Sequence, residues 1–273
     1  MVAAMTDKPS VALIGAGAMG GALLKGWLAA GSIDAARSAV FDPNIKDEMA
    51  GLCAENGVAV NEGEGPFDAM VLAVKPQAAA DVLPHYAKLA RDAIAISVMA
   101  GKSIARIQDL LEGAPRVARV MPNLPAAIGR GASGLYAPEA IDAKGRAIIE
   151  TLMQAAGETV WVRSEQEIDY VTAVSGSGPA YYFLLTEALA EAGASLGLDR
   201  QAAAALARAT LAGAGAMMDA DARAPAEMRK AVTSPGGTTE AALKIFDGDD
   251  AAMRKLVEKA VQAAAKRAGE LTD

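Results

Sequence analysis

Short apolar runs and stretches of helical spacing alternate along the first part of the chain. Residues 10–14 (SVALI), 38–42 (SAVFD), 68–74 (DAMVLAV) and 93–98 (AIAISV) read as strands, as do 116–121, 132–136 and 159–162. Between them, residues 18–30 closed by Gly31, 44–56 stopping at Gly57, and a stretch near 138–156 carry helical spacing. The strands are apolar throughout rather than alternating, which indicates a mostly parallel sheet covered by helices on both faces. A doubly wound α/β domain is therefore expected over residues 1–163.

From about Ser164 no strand-like run recurs. Alanine-rich segments take over at 181–196, 201–219, 226–232, 238–246 and 250–271. Alanine is the best helix former, so residues 164–273 are expected to be an all-α bundle. Small residues at 202–205, Gly213 and Gly215 let helices approach closely. Two arrangements stay open, a compact bundle within one chain and helices that interlock with a second copy.

Composition narrows the chemistry. A chain of 273 residues suggests one or two domains and can bury a full core without staples. A single cysteine, Cys53, excludes an internal disulfide framework and Cys-cluster metal sites. A single histidine, His85, excludes two-histidine metal sites and leaves one candidate for any histidine-dependent chemistry. His85 follows Leu83-Pro84 in a helical stretch and reads as a surface residue; Cys53 reads as a small buried hydrophobe. A net charge of -7 and an aromatic share of 4% speak against nucleic-acid binding. The uncharged stretch 10–24 resembles an export signal at first sight. It is broken by glycines, has almost no basic residue before it and is too short to span a bilayer, so a cytoplasmic location is expected.

Gly15-Ala16-Gly17-Ala18-Met19-Gly20 is a GxGxxG placed between a strand and a helix, the context that marks a Rossmann dinucleotide turn. Its glycines permit a tight turn and bring helix N-terminal amides to a pyrophosphate. The acidic residue expected about 20 residues on is Asp42. A carboxylate there accepts from both ribose hydroxyls and favours NAD, unless a cation such as Lys46 compensates a 2′-phosphate; a capping Asp before Pro43 is the simpler alternative. Lys75, in Ala73-Val74-Lys75-Pro76, ends the third strand where such sheets bind ligands, and it can neutralise a phosphate or carboxylate. After the fourth strand, in Val98-Met99-Ala100-Gly101, small residues let a nicotinamide ring lie flat against the backbone. In the helical half, Ser175-Gly176-Ser177-Gly178-Pro179 and Thr233-Ser234-Pro235-Gly236-Gly237-Thr238-Thr239 read as glycine-rich loops feeding helix N-termini, which are ready anion sites. Simple N-capping needs one hydroxyl, whereas the second segment offers several hydroxyls and amides.

Taken together, residues 15–20, the AVKP at 73–76, Arg119-Val120-Met121-Pro122-Asn123, the SGSGPAY at 175–181 and the VTSPGGTT at 232–239 resemble the pyrroline-5-carboxylate reductase family, in order and spacing from Val11 to about Ala268. The resemblance implies NAD(P)H-dependent reduction of 1-pyrroline-5-carboxylate to L-proline, the final step of proline biosynthesis. It further implies that Thr239 hydrogen-bonds and helps protonate the ring nitrogen, and that Ser234, Gly237 and Thr238 hold the carboxylate. Cofactor contacts map onto residues 15–20, Asn61, 73–76 and 98–100. The resemblance also implies a homodimer through the C-terminal helices, assembled further into decamers. Two departures stand out. Leu124 follows the MPN where the family usually has Thr, and Asp42-Pro43-Asn44 stands where hydroxyl or basic residues usually favour NADPH.

The residues suit this chemistry on their own account. A protonated imine is already electrophilic, so hydride transfer needs orientation, a carboxylate anchor and one hydrogen bond to nitrogen rather than a strong base. An alcohol dehydrogenase of the same plan more typically wants a His or Lys. A β-hydroxyacid dehydrogenase relative would use a lysine, and residues 164–186 contain none. A non-catalytic nucleotide-binding homologue would not need Ser234 and Thr239.

Overall fold

A computed structural model describes residues 8–272 and divides the chain into two compact units. The first runs to Ser177 and includes the residues from Ala264 onward; the second is Gly178–Ala263.

The first unit is built on a sheet of β1 (Val11–Ile14), β2 (Ala39–Phe41), β3 (Ala59–Val60), β4 (Ala69–Leu72), β5 (Ile94–Ser97), β6 (Val117–Met121), β7 (Gly131–Tyr136) and β8 (Gly157–Trp161), in the order β3-β2-β1-β4-β5-β6-β7-β8. Neighbours are parallel except β6 and β7, which are antiparallel. The link from Met121 to Gly131 is too short for a crossover, which takes a dozen or more residues. The helices of this unit are α1 (Ala18–Ala30), α2 (Asp47–Asn56), the single turns α3 (Ala79–Val82) and α4 (Ala87–Ala90), α5 (Ile104–Leu110), α6 (Ala143–Gln154) and α7 (Glu167–Val171).

Strand residues feed two cores. Val11, Leu13, Val71 and Ile96 pack with Leu23, Leu24 and Trp27 of α1 and Ile149 and Leu152 of α6. Ala12, Ile14, Met70 and Leu72 point the other way, onto Leu83, Ile107 and Leu111. Successive side chains leave a strand on opposite faces, so a sheet with two buried faces demands the continuous apolar runs the sequence shows. The indole N–H of Trp27 donates to the Leu152 carbonyl at 2.7 Å, tying α1 to α6. Cys53 is buried, as expected, and burial pushes its thiol pKa up; His85 is exposed.

One predicted loop is helical instead. Residues 175–179 do not form a glycine-rich loop: α7 runs into a π-helical turn, Thr172–Gly176, and then into α8 (Gly178–Ser195). The amides of this stretch are absorbed by the helical path, and Pro179 lies in the first turn of α8, where a missing N–H costs least.

In the second unit α8 is followed by α9 (Arg200–Ala220), α10 (Pro225–Ala231) and α11 (Thr238–Asp247), and α12 (Ala252–Leu271) begins there. Gly197 ends α8 in the left-handed region, φ +105°, and the Asp199 carboxylate caps α9 by accepting from the amides of Gln201 and Ala202. Apart from Gly178, the buried side chains here are Ala203 and Ala207 among the described residues, while Phe183, Leu184, Leu206, Met217 and Leu256 are all more than half exposed. A unit with so little buried and so much apolar surface exposed lacks a core of its own. No helix among the described residues is long and apolar enough to cross a membrane.

Candidate active site

The glycine turn sits at the carboxyl end of β1. Gly15 (φ +92°) donates its N–H to the Phe41 carbonyl at 2.9 Å, and an added Cβ would lie 3.0 Å from the backbone of Ala73. At Gly20 a Cβ would come within 2.0 Å of the Gly15 carbonyl oxygen. These two glycines serve packing between turn, helix and strand. Gly17 is different: it is exposed, it is the N-cap of α1, and a Cβ there would meet nothing within 4 Å. No side chain caps α1, so the first-turn amides of Ala18, Met19 and Gly20 have no side-chain partner at the open side. Free amides, a helix N-terminus and clear space together fit a dinucleotide pyrophosphate.

Around this turn the ends of the neighbouring strands converge. Ala73 donates to the Ile14 carbonyl (2.8 Å) and Val98 to that of Leu72 (3.1 Å). The 73–76 and 98–100 segments thus leave β4 and β5 beside the glycine turn, in the crevice at the carboxyl ends of the strands where such sheets take ligands. Lys75 is exposed. Asp42 ends β2, and its Oδ2 accepts from the Ala16 amide at 2.8 Å while Oδ1 accepts from the Asn44 amide at 2.9 Å. It does not cap α2, whose N-cap is Lys46. Asn61, in the left-handed region at φ +52°, grips the Asp42 backbone from β3: its Oδ1 accepts from the Asp42 amide (2.9 Å) and its Nδ2 donates to the carbonyl (3.1 Å). Beside them the rings of Phe41 and Tyr86 meet edge to face at 5.4 Å. Burial, and secondarily the charge of Asp42, raise the Tyr86 phenol above its ordinary pKa.

The expected substrate residues fall in the second unit. Gly236 turns the chain at φ +71° and donates its amide to Glu240 Oε2 at 2.7 Å. Gly237 donates to the Ser234 carbonyl at 3.0 Å and is the N-cap of α11, with no side-chain cap. The Thr233 hydroxyl is spent on the Arg229 carbonyl at 2.6 Å. Ser234 and Thr238 are exposed, and Thr239 is half-buried. The turn before α11 and the first turn of that helix thus contribute three hydroxyls and uncapped amides.

A buried charge cluster has no counterpart in the sequence reading. Arg119, in the middle of β6 with its side chain 3% exposed, lies 3.2 Å from Glu165 and 3.7 Å from Asp169. Glu165 also accepts from the Ile104 amide (2.7 Å), and Asp169 accepts from the Thr272 hydroxyl (3.3 Å). A Cβ on Gly101 would strike the Leu271 carbonyl oxygen at 2.7 Å. The cluster therefore joins β6, the segment after β5, α7 and the C-terminal turn of α12. Its signal was an arginine inside the run VARVM, since a charge amid a buried strand requires carboxylate partners. Asn123 works nearby: it donates to the Ser175 carbonyl at 3.0 Å and accepts from the Ala132 amide at 2.9 Å, fastening the π-helical turn to β7.

Comparisons with known proteins agree with this architecture. Residues 165–271 match the family model for pyrroline-5-carboxylate reductase dimerisation, and residues 10–101 match that for NADP oxidoreductase, coenzyme F420-dependent. The pyrroline-5-carboxylate reductase of Pseudomonas aeruginosa is 42% identical over 270 residues, covering 97% of each chain; that of Haemophilus influenzae is 37% identical, covering 96% of this chain and 97% of its own. The solved pyrroline-5-carboxylate reductase of Coxiella burnetii superposes with a TM-score of 0.88 at 34% identity, over 98% of this chain and 100% of the other. The Plasmodium falciparum pyrroline carboxylate reductase with NADP bound shares the fold, with a TM-score of 0.79 at 24% identity over 98% and 100% of the two chains.

Proposed function

The chain belongs to the pyrroline-5-carboxylate reductase family, and on that premise we propose that it reduces the C=N bond of 1-pyrroline-5-carboxylate to L-proline, the last step of proline biosynthesis, with NADPH or NADH as reductant. The observation that carries this reading is the uncapped start of α11. Its amides and the hydroxyls of Ser234, Thr238 and Thr239 suit a small ligand that combines a carboxylate with a ring nitrogen.

The chain's own residues divide the work. The Ser234 hydroxyl and the uncapped Thr238 amide hold the carboxylate, and Gly237, the N-cap of α11, lets it approach. The Thr239 hydroxyl donates to the ring nitrogen and helps protonate it, which makes the imine carbon electrophilic. Residues 15–20, Asn61, 73–76 and 98–100 hold the coenzyme. When bound, the reduced nicotinamide supplies the hydride. Orientation at near-attack distance accounts for several kcal/mol of the barrier, so a strong general base is not required. We assign coenzyme binding to residues 1–163, and substrate binding with dimerisation to 164–273. The exposed apolar helices support a homodimer; further assembly toward a decamer and a cytoplasmic location complete the reading.

Thr239 is the sharpest test. Thr239→Ala should lower kcat on pyrroline-5-carboxylate by about 10²-fold or more, in the range of a lost proton-transfer group, with coenzyme affinity nearly intact. Thr239→Ser should recover most of the rate, because the hydroxyl returns. Full turnover in the alanine variant would remove Thr239 from the mechanism.

A further inference from the structure

We propose that Asp42 makes this chain an NADH-preferring reductase, because its carboxylate is fixed where it accepts from the adenosine ribose hydroxyls and repels a 2′-phosphate. The inference rests on reading the glycine turn as the coenzyme site. What the structure adds to the sequence is that Asp42 cannot turn aside. Its Oδ2 takes the Ala16 amide from within the glycine turn, at 2.8 Å, and its Oδ1 takes the Asn44 amide at 2.9 Å. The backbone of Asp42 is clamped in turn by both polar atoms of Asn61. Rotating the carboxylate away would strand the Ala16 and Asn44 amides at once.

An ionised carboxylate offers about four lone-pair sites on its two oxygens. Two are used by the backbone, so two remain for the two hydroxyls of an unmodified ribose. A 2′-phosphate replaces one of those donors with negative charge, which places like charges beside each other and leaves a carboxylate acceptor unused.

Compensation by a cation is the one escape, and among the described residues no cation is engaged with Asp42. Residues 43–48 contain a single cation, Lys46, and Asp47 and Glu48 follow it directly. Lys46 forms no ion pair with Asp42 among the described residues, and Lys25, across from α2, is taken by Glu48 at 2.6 Å. Past β3 the exposed residues Glu62 and Glu64 add further negative charge. The nearby Tyr86 phenol, neutral while protonated, offsets none of this charge.

The test is equilibrium binding of NADH and NADPH by isothermal titration, without any imine present. The wild-type chain should bind NADH at least tenfold more tightly than NADPH. Asp42→Ser should move that ratio at least tenfold toward NADPH, and Asp42→Asn, which keeps the shape and loses the charge, should move it part of the way. Wild-type protein that binds NADPH as tightly as NADH overturns the proposal, as does an unchanged ratio in folded Asp42→Ser or Asp42→Asn. Because the readout needs no substrate, it separates from the reductase reading. Proline formation without coenzyme preference would sink this inference alone, and preference without turnover would sink the reductase reading alone.

Discussion

At Gly17 and Gly20, three residues apart in one turn, the same added methyl group has opposite consequences. Gly20→Ala drives a Cβ to 2.0 Å from the Gly15 carbonyl oxygen, so the turn must open and α1 must leave β1. Gly17→Ala meets nothing within 4 Å, and its φ of -67° is ordinary for alanine. The expected outcome is a Gly20→Ala protein that unfolds at markedly lower urea, and a Gly17→Ala protein with unchanged unfolding midpoint but coenzyme affinity at least tenfold weaker. Paired denaturation and binding curves check this; equal effects of the two substitutions would mean that Gly17 has no ligand above it. The sequence shows the spacing of this motif, yet it does not distinguish the glycine that packs from the glycine that leaves room. Asp42 is similar: its position was readable, but the two amides that hold it come from Ala16 and Asn44, and only folding brings the first of them near.

Among the elements, strands and long helices were legible because they bury one face or both, and burial writes a period into the sequence. The span of α1 matches the expectation at both ends, and α2 stops at Gly57, which takes the left-handed cap. Elements that do not depend on a period were missed. Strand β3 has two residues and α5 only two turns, while the helical stretch expected around His85 is broken into single turns between Pro76 and Ala90. The segment at 175–179 was misread for a different reason. Glycine, serine and proline are loop residues by propensity, but here tertiary packing overrides propensity: Gly176 lies against Met121, where a Cβ would sit 3.0 Å from its Cε. Asn123 locks that helical path. Asn123→Ala would leave the Ala132 amide and the Ser175 carbonyl without their partner in a site where Asn123 is 9% exposed. Each buried group left unsatisfied costs about 1–3 kcal/mol, so the urea midpoint should fall clearly; an unmoved midpoint would show that the π-helical turn holds without it.

For the whole molecule, the telling feature is a helical unit that exposes what a core would bury. Apolar side chains exposed in such number mark an interface, and the match of residues 165–271 to a dimerisation family points to a second copy of the same segment. The sequence alone left a self-contained bundle and an interlocked pair equally open, since both need alanine-rich helices; exposure in the folded chain speaks against the self-contained bundle. Light scattering should therefore find a dimer or a larger assembly, with a melting temperature that rises with protein concentration, as mass action requires when folding and association are linked. Leu184→Asp, at a residue 65% exposed in the single chain, should lower both the assembly size and the melting temperature. A monomer with a concentration-independent melting temperature would contradict this account of the helices.

Reduction of a cyclic imine acid can be watched as oxidation of NADH and of NADPH at 340 nm with pyrroline-5-carboxylate, with the product identified. L-proline should form in step with coenzyme consumed, faster with NADH at equal low concentrations. Purified protein that binds the coenzyme yet forms no proline with either one would contradict the reductase reading.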